Sequence, residues 1–253
     1  MRKVLLAFAM TAMTIFMASG VATAITYGKA DGNRHPNVGA LVGTFDGETY
    51  PYCSGTLISR TVFLTAAHCE PGKKRVKVSF DEKYTSESKL YQGTFHGHPR
   101  YPGPTSNPYD IAVVVFDRPI KGIEPARLPT LNRFRDLPKD KRFTSVGYGS
   151  QEVTNAPGGH QFVYRDAREY SVGTLNSVTP SYLHISQNPA TGNGGTCYGD
   201  SGGPNFLGAG PAETDIVAST TITGDSYCKS TNVTYRLDSR SARAFLGKYV
   251  ALP

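Results

Sequence analysis

The stretch "GTCYGDSGGP", residues 195–204, decides between two folds. Its centre fits G-x-S-x-G, the sharp strand-to-helix turn that presents a nucleophilic serine at the edge of a parallel α/β sheet. That architecture takes its acid and then its histidine from the chain after the serine. Here 52 residues follow Ser201 and none is a histidine, the last being His184. Chain order therefore excludes the α/β reading, and an imidazole able to activate Ser201 has to come from upstream.

The rest of the chain agrees. Its apolar segments are short: "GALVGTF", "SGTLIS", "TVFLTAA", "RVKVSF", "IAVVVF", "RFTSVGYG", "SYLHIS" and "DIVASTTI". They are rich in Val, Ile, Thr, Tyr and Phe and are cut by turn residues, the pattern of an all-β sandwich or barrel. No regular alternation with amphipathic helices suggests parallel β-α-β units. One helix is expected at the end, in "DSRSARAFLGKYVALP", with Asp238 or Ser239 as its cap and Phe245, Leu246, Tyr249 and Val250 on one face. The polar stretch "LNRFRDLPKDKR", 131–142, reads as the linker between two β halves.

The first residues read as a leader. Arg2 and Lys3 precede the apolar run "VLLAFAMTAMTIFMA", and Ala22-Thr23-Ala24 supplies a small-x-small cleavage site, so residues 1–24 are expected to be a removed signal peptide. A membrane anchor is the competing reading, but the run is short and twice broken by threonine, and no later stretch reaches the length of a span. Export makes the four cysteines, Cys53, Cys69, Cys197 and Cys228, candidates for disulfides, with three possible connectivities. The net charge of +7 falls to +5 without Arg2 and Lys3. "KKRVK" at 73–77 is the one basic run, and it reads as a solvated strand with Val76 and Val78 inward and no interleaved aromatic, so no nucleic-acid partner is expected.

Upstream of Ser201, "TVFLTAAHCE" places His68 at the end of an apolar run beside a cysteine. "NPYDIAVVVF" places Asp110 at the mouth of a strongly apolar strand, where a buried carboxylate is costly unless paired. His35, His160 and His184 carry no such signal. His96 and His98 form an H-x-H pair without a third ligand spaced to match, so no metal is expected. Nothing points to an organic cofactor.

The motifs "TAAHC", "DIAVV" and "GDSGGP", in that order, resemble those of the trypsin and chymotrypsin family of serine endopeptidases. The likeness extends over the mature chain: "ITYG" at 25–28 resembles the family's mature N-terminus, "CSGTLIS" the strand before the histidine, and "SVGYGS" the start of the second barrel. The resemblance implies two six-stranded antiparallel Greek-key barrels with the active site between them, residues 25–135 forming the barrel of His68 and Asp110 and residues 136–253 that of Ser201 and the specificity pocket.

It also implies a triad of His68, Asp110 and Ser201, an oxyanion hole from the amides of Gly199 and Ser201, and disulfides Cys53–Cys69 and Cys197–Cys228. Ser219 matches the serine that supports the buried aspartate. Asp200 is matched to an ion pair with the mature N-terminal amine, here that of Ile25, which removal of the leader alone would free. Around the specificity pocket the match places Gly195 at the base, with Thr196, Tyr198, Ser219, Thr220, Thr221 and Asn232 around it and Asp225 solvated at the rim. Gly195 stands where trypsins carry an aspartate, so small or medium uncharged residues are expected before the cut bond. Asn232 opens a glycosylation sequon, "NVT". The expectation is a secreted, monomeric endopeptidase acting on peptides or proteins. A catalytically silent binding protein on the same fold and an esterase with the same triad are the alternatives.

Overall fold

Residues 75–79 show how the sequence makes this fold. Arg75 and Lys77 face water while Val76 and Val78 are buried, the two-residue period of a strand with one wet face. Val62–Thr65 and Ala112–Phe116 carry almost no polar side chain and lie almost wholly inside. A computed structural model describes residues 25–101, 108–156 and 159–253; the expected signal peptide, residues 1–24, lies outside them.

The strands in chain order are β1 (Lys29–Ala30), β2 (Val38–Phe45), β3 (Glu48–Ser59), β4 (Val62–Thr65), β5 (Arg75–Ser79), β6 (Tyr91–Gly97), β7 (Ala112–Phe116), β8 (Arg142–Gly147), β9 (Gln151–Ala156), β10 (Gly159–Val163), β11 (Glu169–Val178), β12 (Tyr182–Ser186), β13 (Pro204–Leu207), β14 (Val217–Gly224) and β15 (Thr231–Arg236). One barrel closes in the order β2-β3-β4-β7-β6-β5. The other runs β11-β12-β15-β14-β13-β8 and closes through pairing of β8 with β11. Both follow one pattern, in which the fourth and sixth strands of the set exchange places, the mark of a Greek key. β9 and β10 form a separate hairpin.

The chain ends are exchanged between the barrels. β1 pairs with β11, whereas the C-terminal helix α1 (Arg240–Leu246) leans on the first barrel, where Phe245 lies 5.1 Å from His98. Ser239, rather than Asp238, caps α1 by accepting from Ala242 N at 3.2 Å. Asp238 is held by Arg236 and by the amide of Phe134. The helix is shorter than expected: it stops before Gly247, and Tyr249 and Val250 pack on the core from beyond its end. The stretch 131–142 is anchored at its middle by the fully buried Phe134.

A buried ionic cluster joins the barrels, unannounced by the sequence. Arg168 is 1% exposed. Its guanidinium reaches Asp31 at 2.9 Å, the carbonyls of Val38 and Phe80 at 3.0 and 2.9 Å, and Tyr148 Oη at 3.0 Å. His35 bonds Asp31 through Nδ1 and Glu213 through Nε2, the latter at 2.6 Å. Burial opposes charge on His35, but the two carboxylates outweigh it and raise its pKa; His35 in turn holds Asp31 below the usual carboxylate range.

Candidate active site

β4 delivers the chain to one 3₁₀ turn, Ala67–Cys69, which a disulfide from Cys69 to Cys53 of β3 pins to the barrel. His68, between these anchors, keeps a quarter of its side chain exposed, while Asp110 is fully buried just before β7. Both carboxylate oxygens of Asp110 serve His68: Oδ1 accepts the backbone N–H at 3.0 Å and Oδ2 accepts from Nδ1 at 2.7 Å. With its proton held on Nδ1, the ring offers a lone pair on Nε2. His68 and Ser201 line one cleft of about 310 Å³.

The loop carrying Ser201 is fixed from several sides. Ser201 O accepts from Ser54 N at 2.8 Å, and Gly202 N donates to Thr221 O at 2.8 Å. Gly199 and Gly202 hold φ of +96° and +83°, a region costly for any side chain. At Gly202 a Cβ would also overlap Thr65 Oγ1. Ser54 Oγ donates to the carbonyl of Gly199 at 2.9 Å and accepts from Tyr148 N at 2.9 Å. The amides of Gly199 and Ser201 donate to no protein acceptor among the described residues, so both are available to a ligand oxygen.

Asp200 points the other way, into the protein. Its oxygens accept from the amides of Gly149 and Cys197, each at 2.8 Å. Burial outweighs these bonds and pushes its carboxyl up to about 7. Ile25 is fully buried, and the carbonyl of the next residue, Thr26, accepts from Gly195 N at 2.9 Å, which docks this segment beside the loop. The second disulfide joins Cys197 to Cys228 across the cleft.

Of the residues expected around the specificity pocket, Thr196, Tyr198 and Thr221 line the cleft, and Gly195, Ser219, Thr220 and Asn232 do not. Ser219 and Thr220 lie inside the sheet, paired on one side with Asn205 and Pro204 of β13 and on the other with Arg236 and Tyr235 of β15. Ser219 Oγ accepts from Thr234 Oγ1 at 2.7 Å rather than supporting Asp110. The wall is instead Thr221–Ser226, where β14 leaves the sheet. Asn232 is fully buried and donates to Asn205 Oδ1 at 3.0 Å, so its sequon is closed to glycosylation in the folded protein.

Asp225 is not a freely solvated rim residue either. Its carboxylate accepts from the amides of Lys229, Ser230 and Thr231 at 3.1, 2.8 and 2.8 Å. Burial opposes its charge, but these bonds prevail and its pKa is lowered. At the mouth, Tyr198 Oη donates to the carbonyl of Ser226 at 3.3 Å, and Phe162 of the β9–β10 hairpin meets Tyr198 edge-on at 4.8 Å.

A family model described as Trypsin matches residues 20–241. The chain belongs to the trypsin family. It is thus a serine endopeptidase by descent as well as by architecture. A chymotrypsin of Phaedon cochleariae is 29% identical over 199 residues, covering 73% of this chain and 67% of that protein. A trypsin of Saccharopolyspora erythraea is 28% identical over 182 residues, 67% of this chain and 75% of its own. The solved structure of neuropsin, a serine protease expressed in the limbic system of mouse brain, matches the fold with a TM-score of 0.68 at 21% identity, covering 88% of this trypsin-family chain and 99% of neuropsin.

Proposed function

We propose that this endopeptidase cuts peptide bonds with Ser201 as nucleophile, His68 as general base and then general acid, and Asp110 as the group that orients the imidazole. The observation that carries the reading is His68 gripped twice by Asp110 inside the cleft it shares with Ser201. Ser201 Oγ attacks the substrate carbonyl carbon as its proton passes to His68 Nε2. The tetrahedral oxyanion is held by the amides of Gly199 and Ser201. His68 then protonates the leaving amine, and water, deprotonated by the same ring, releases the acyl group from Ser201. Asp110 stabilises the imidazolium at each stage.

Removal of residues 1–24 completes the site in this scheme, because it frees the amine of Ile25 to neutralise Asp200. The docked Thr26 and the raised Asp200 carboxyl support this. The leader and the two disulfides support action outside the cell, on peptide or protein substrates. Relatives named chymotrypsin and trypsin are almost equally similar, at 29% and 27% identity, so preference has to be argued from the cleft. Its uncharged Thr196, Thr221, Ile222 and Thr223 favour a small or medium uncharged side chain before the cut bond.

The test is digestion of a diverse peptide library by the processed protein beside Ser201→Ala, with every cut mapped by mass spectrometry. Cleavage by the first and a loss on the order of 10⁴-fold or more in the second is expected. Equal cleavage by both would remove Ser201 from the mechanism.

A further inference from the structure

Gly195 is bare for a reason that lies elsewhere in the chain. A Cβ built on it would overlap Cβ and Oε1 of Gln187, which follows β12. Gln187 therefore fills the space into which a side chain at 195 would project. It is 1% exposed, with its backbone amide donating to Ser230 O at 3.0 Å. The side chain is held at both ends: Oε1 accepts from Thr196 N at 2.8 Å, and Nε2 donates to Asp225 Oδ1 at 3.5 Å. Thr196 and Asp225 stand on the two walls of the cleft that holds Ser201.

We infer that Gln187 is the residue that ends the specificity cleft, a plug spanning its walls that limits the residue before the cut bond to a small uncharged side chain. The inference rests on the proposed role of Ser201. Two consequences distinguish this plug from a generally narrow cleft. A long side chain, whether apolar or cationic, meets the buried amide before its end is accommodated. Asp225, though ionised and close by, has one oxygen engaged by Gln187 and by the amides of Ser230 and Thr231, and does not act as the partner of a substrate cation. Shortening Gln187 removes both restrictions at once, since it opens the space under Gly195 and removes the Nε2 donor from the ionised Asp225.

The experiment compares kcat/KM for matched peptides with Ala, Leu, Phe or Lys before the cut bond, using wild type, Gln187→Ala and Gln187→Ala/Asp225→Asn. Competent sites are counted with a fluorophosphonate that labels the nucleophilic serine. Wild type should favour Ala over Phe and Lys. Gln187→Ala should raise the Lys-to-Ala ratio about tenfold or more, and the double variant should lose the gain for Lys while keeping the gain for Leu. Wild type that prefers Lys or Phe overturns the inference without need of any variant. An unchanged ratio in fully labelled Gln187→Ala also overturns it. Wild type that neither cleaves nor labels would instead sink the proposed role of Ser201.

Discussion

At Asp200 the chain keeps a carboxylate wholly out of water, with two backbone amides as its hydrogen-bond donors among the described residues. Its pKa rises from 3.8 to about 7, so between those values the folded chain binds a proton that the unfolded chain has released. Stability of a form that retains residues ahead of Ile25 should therefore fall as pH climbs from about 4 to about 7, by on the order of 4 kcal/mol. The form beginning at Ile25 should show little slope in that window. Melting temperatures of the two forms across it, with intact masses to define each, check this.

His35 gives a slope of the same sign from a different cause, since its two carboxylate partners outweigh burial and favour the charged ring. A raised histidine pKa gives stability that is complete below 6.5 and lost as pH rises through the folded value. His35→Gln should cost about 2 kcal/mol at pH 6 and progressively less toward pH 9, read from denaturant midpoints. The candidates His68, Asp110 and Ser201, with the glycines around Ser201, stood out in the sequence because each sits in a short contiguous motif. Gln187, Arg168 and the wall at Thr221–Ser226 did not, because their roles come from which strands lie side by side. The motif-based reading began that wall too early, at residues locked between two strands.

Among the elements, those with an apolar inner face were plain in the sequence: β2, β4, β5 and β7 carry Val, Leu and Phe inward. β11 and β15 were missed for a physical reason. Their buried positions include Ser171, Asn232 and Thr234, polar side chains that form no oily stripe; Asn232 donates to Asn205 Oδ1 and Thr234 to the carbonyl of Leu183. β6 was hidden similarly by Gly93, where a Cβ would press on Val114 and Val115. The helix α1 was legible from its cap and its aromatic face. Phe245, 2% exposed, lies between that helix and the first barrel, so Phe245→Ala should lower stability by about 3–5 kcal/mol. Chemical denaturation checks this, and a loss below 1 kcal/mol would mean that the helix only rests on the surface.

Across the whole molecule the two barrels repeat one strand order, and the cleft lined by His68 and Ser201 draws on both. Their joint is polar as well as apolar, with Arg168 reaching from the second barrel to the carbonyls of Val38 and Phe80 in the first. The exchanged ends add a mechanical consequence. Each half holds a piece of the other, β1 on the far barrel and α1 on the near one, like two hands in a clasp. For a protein that digests proteins, a cut in the polar stretch 131–142 would sever the chain without parting the clasp, and the nicked molecule would keep its working face.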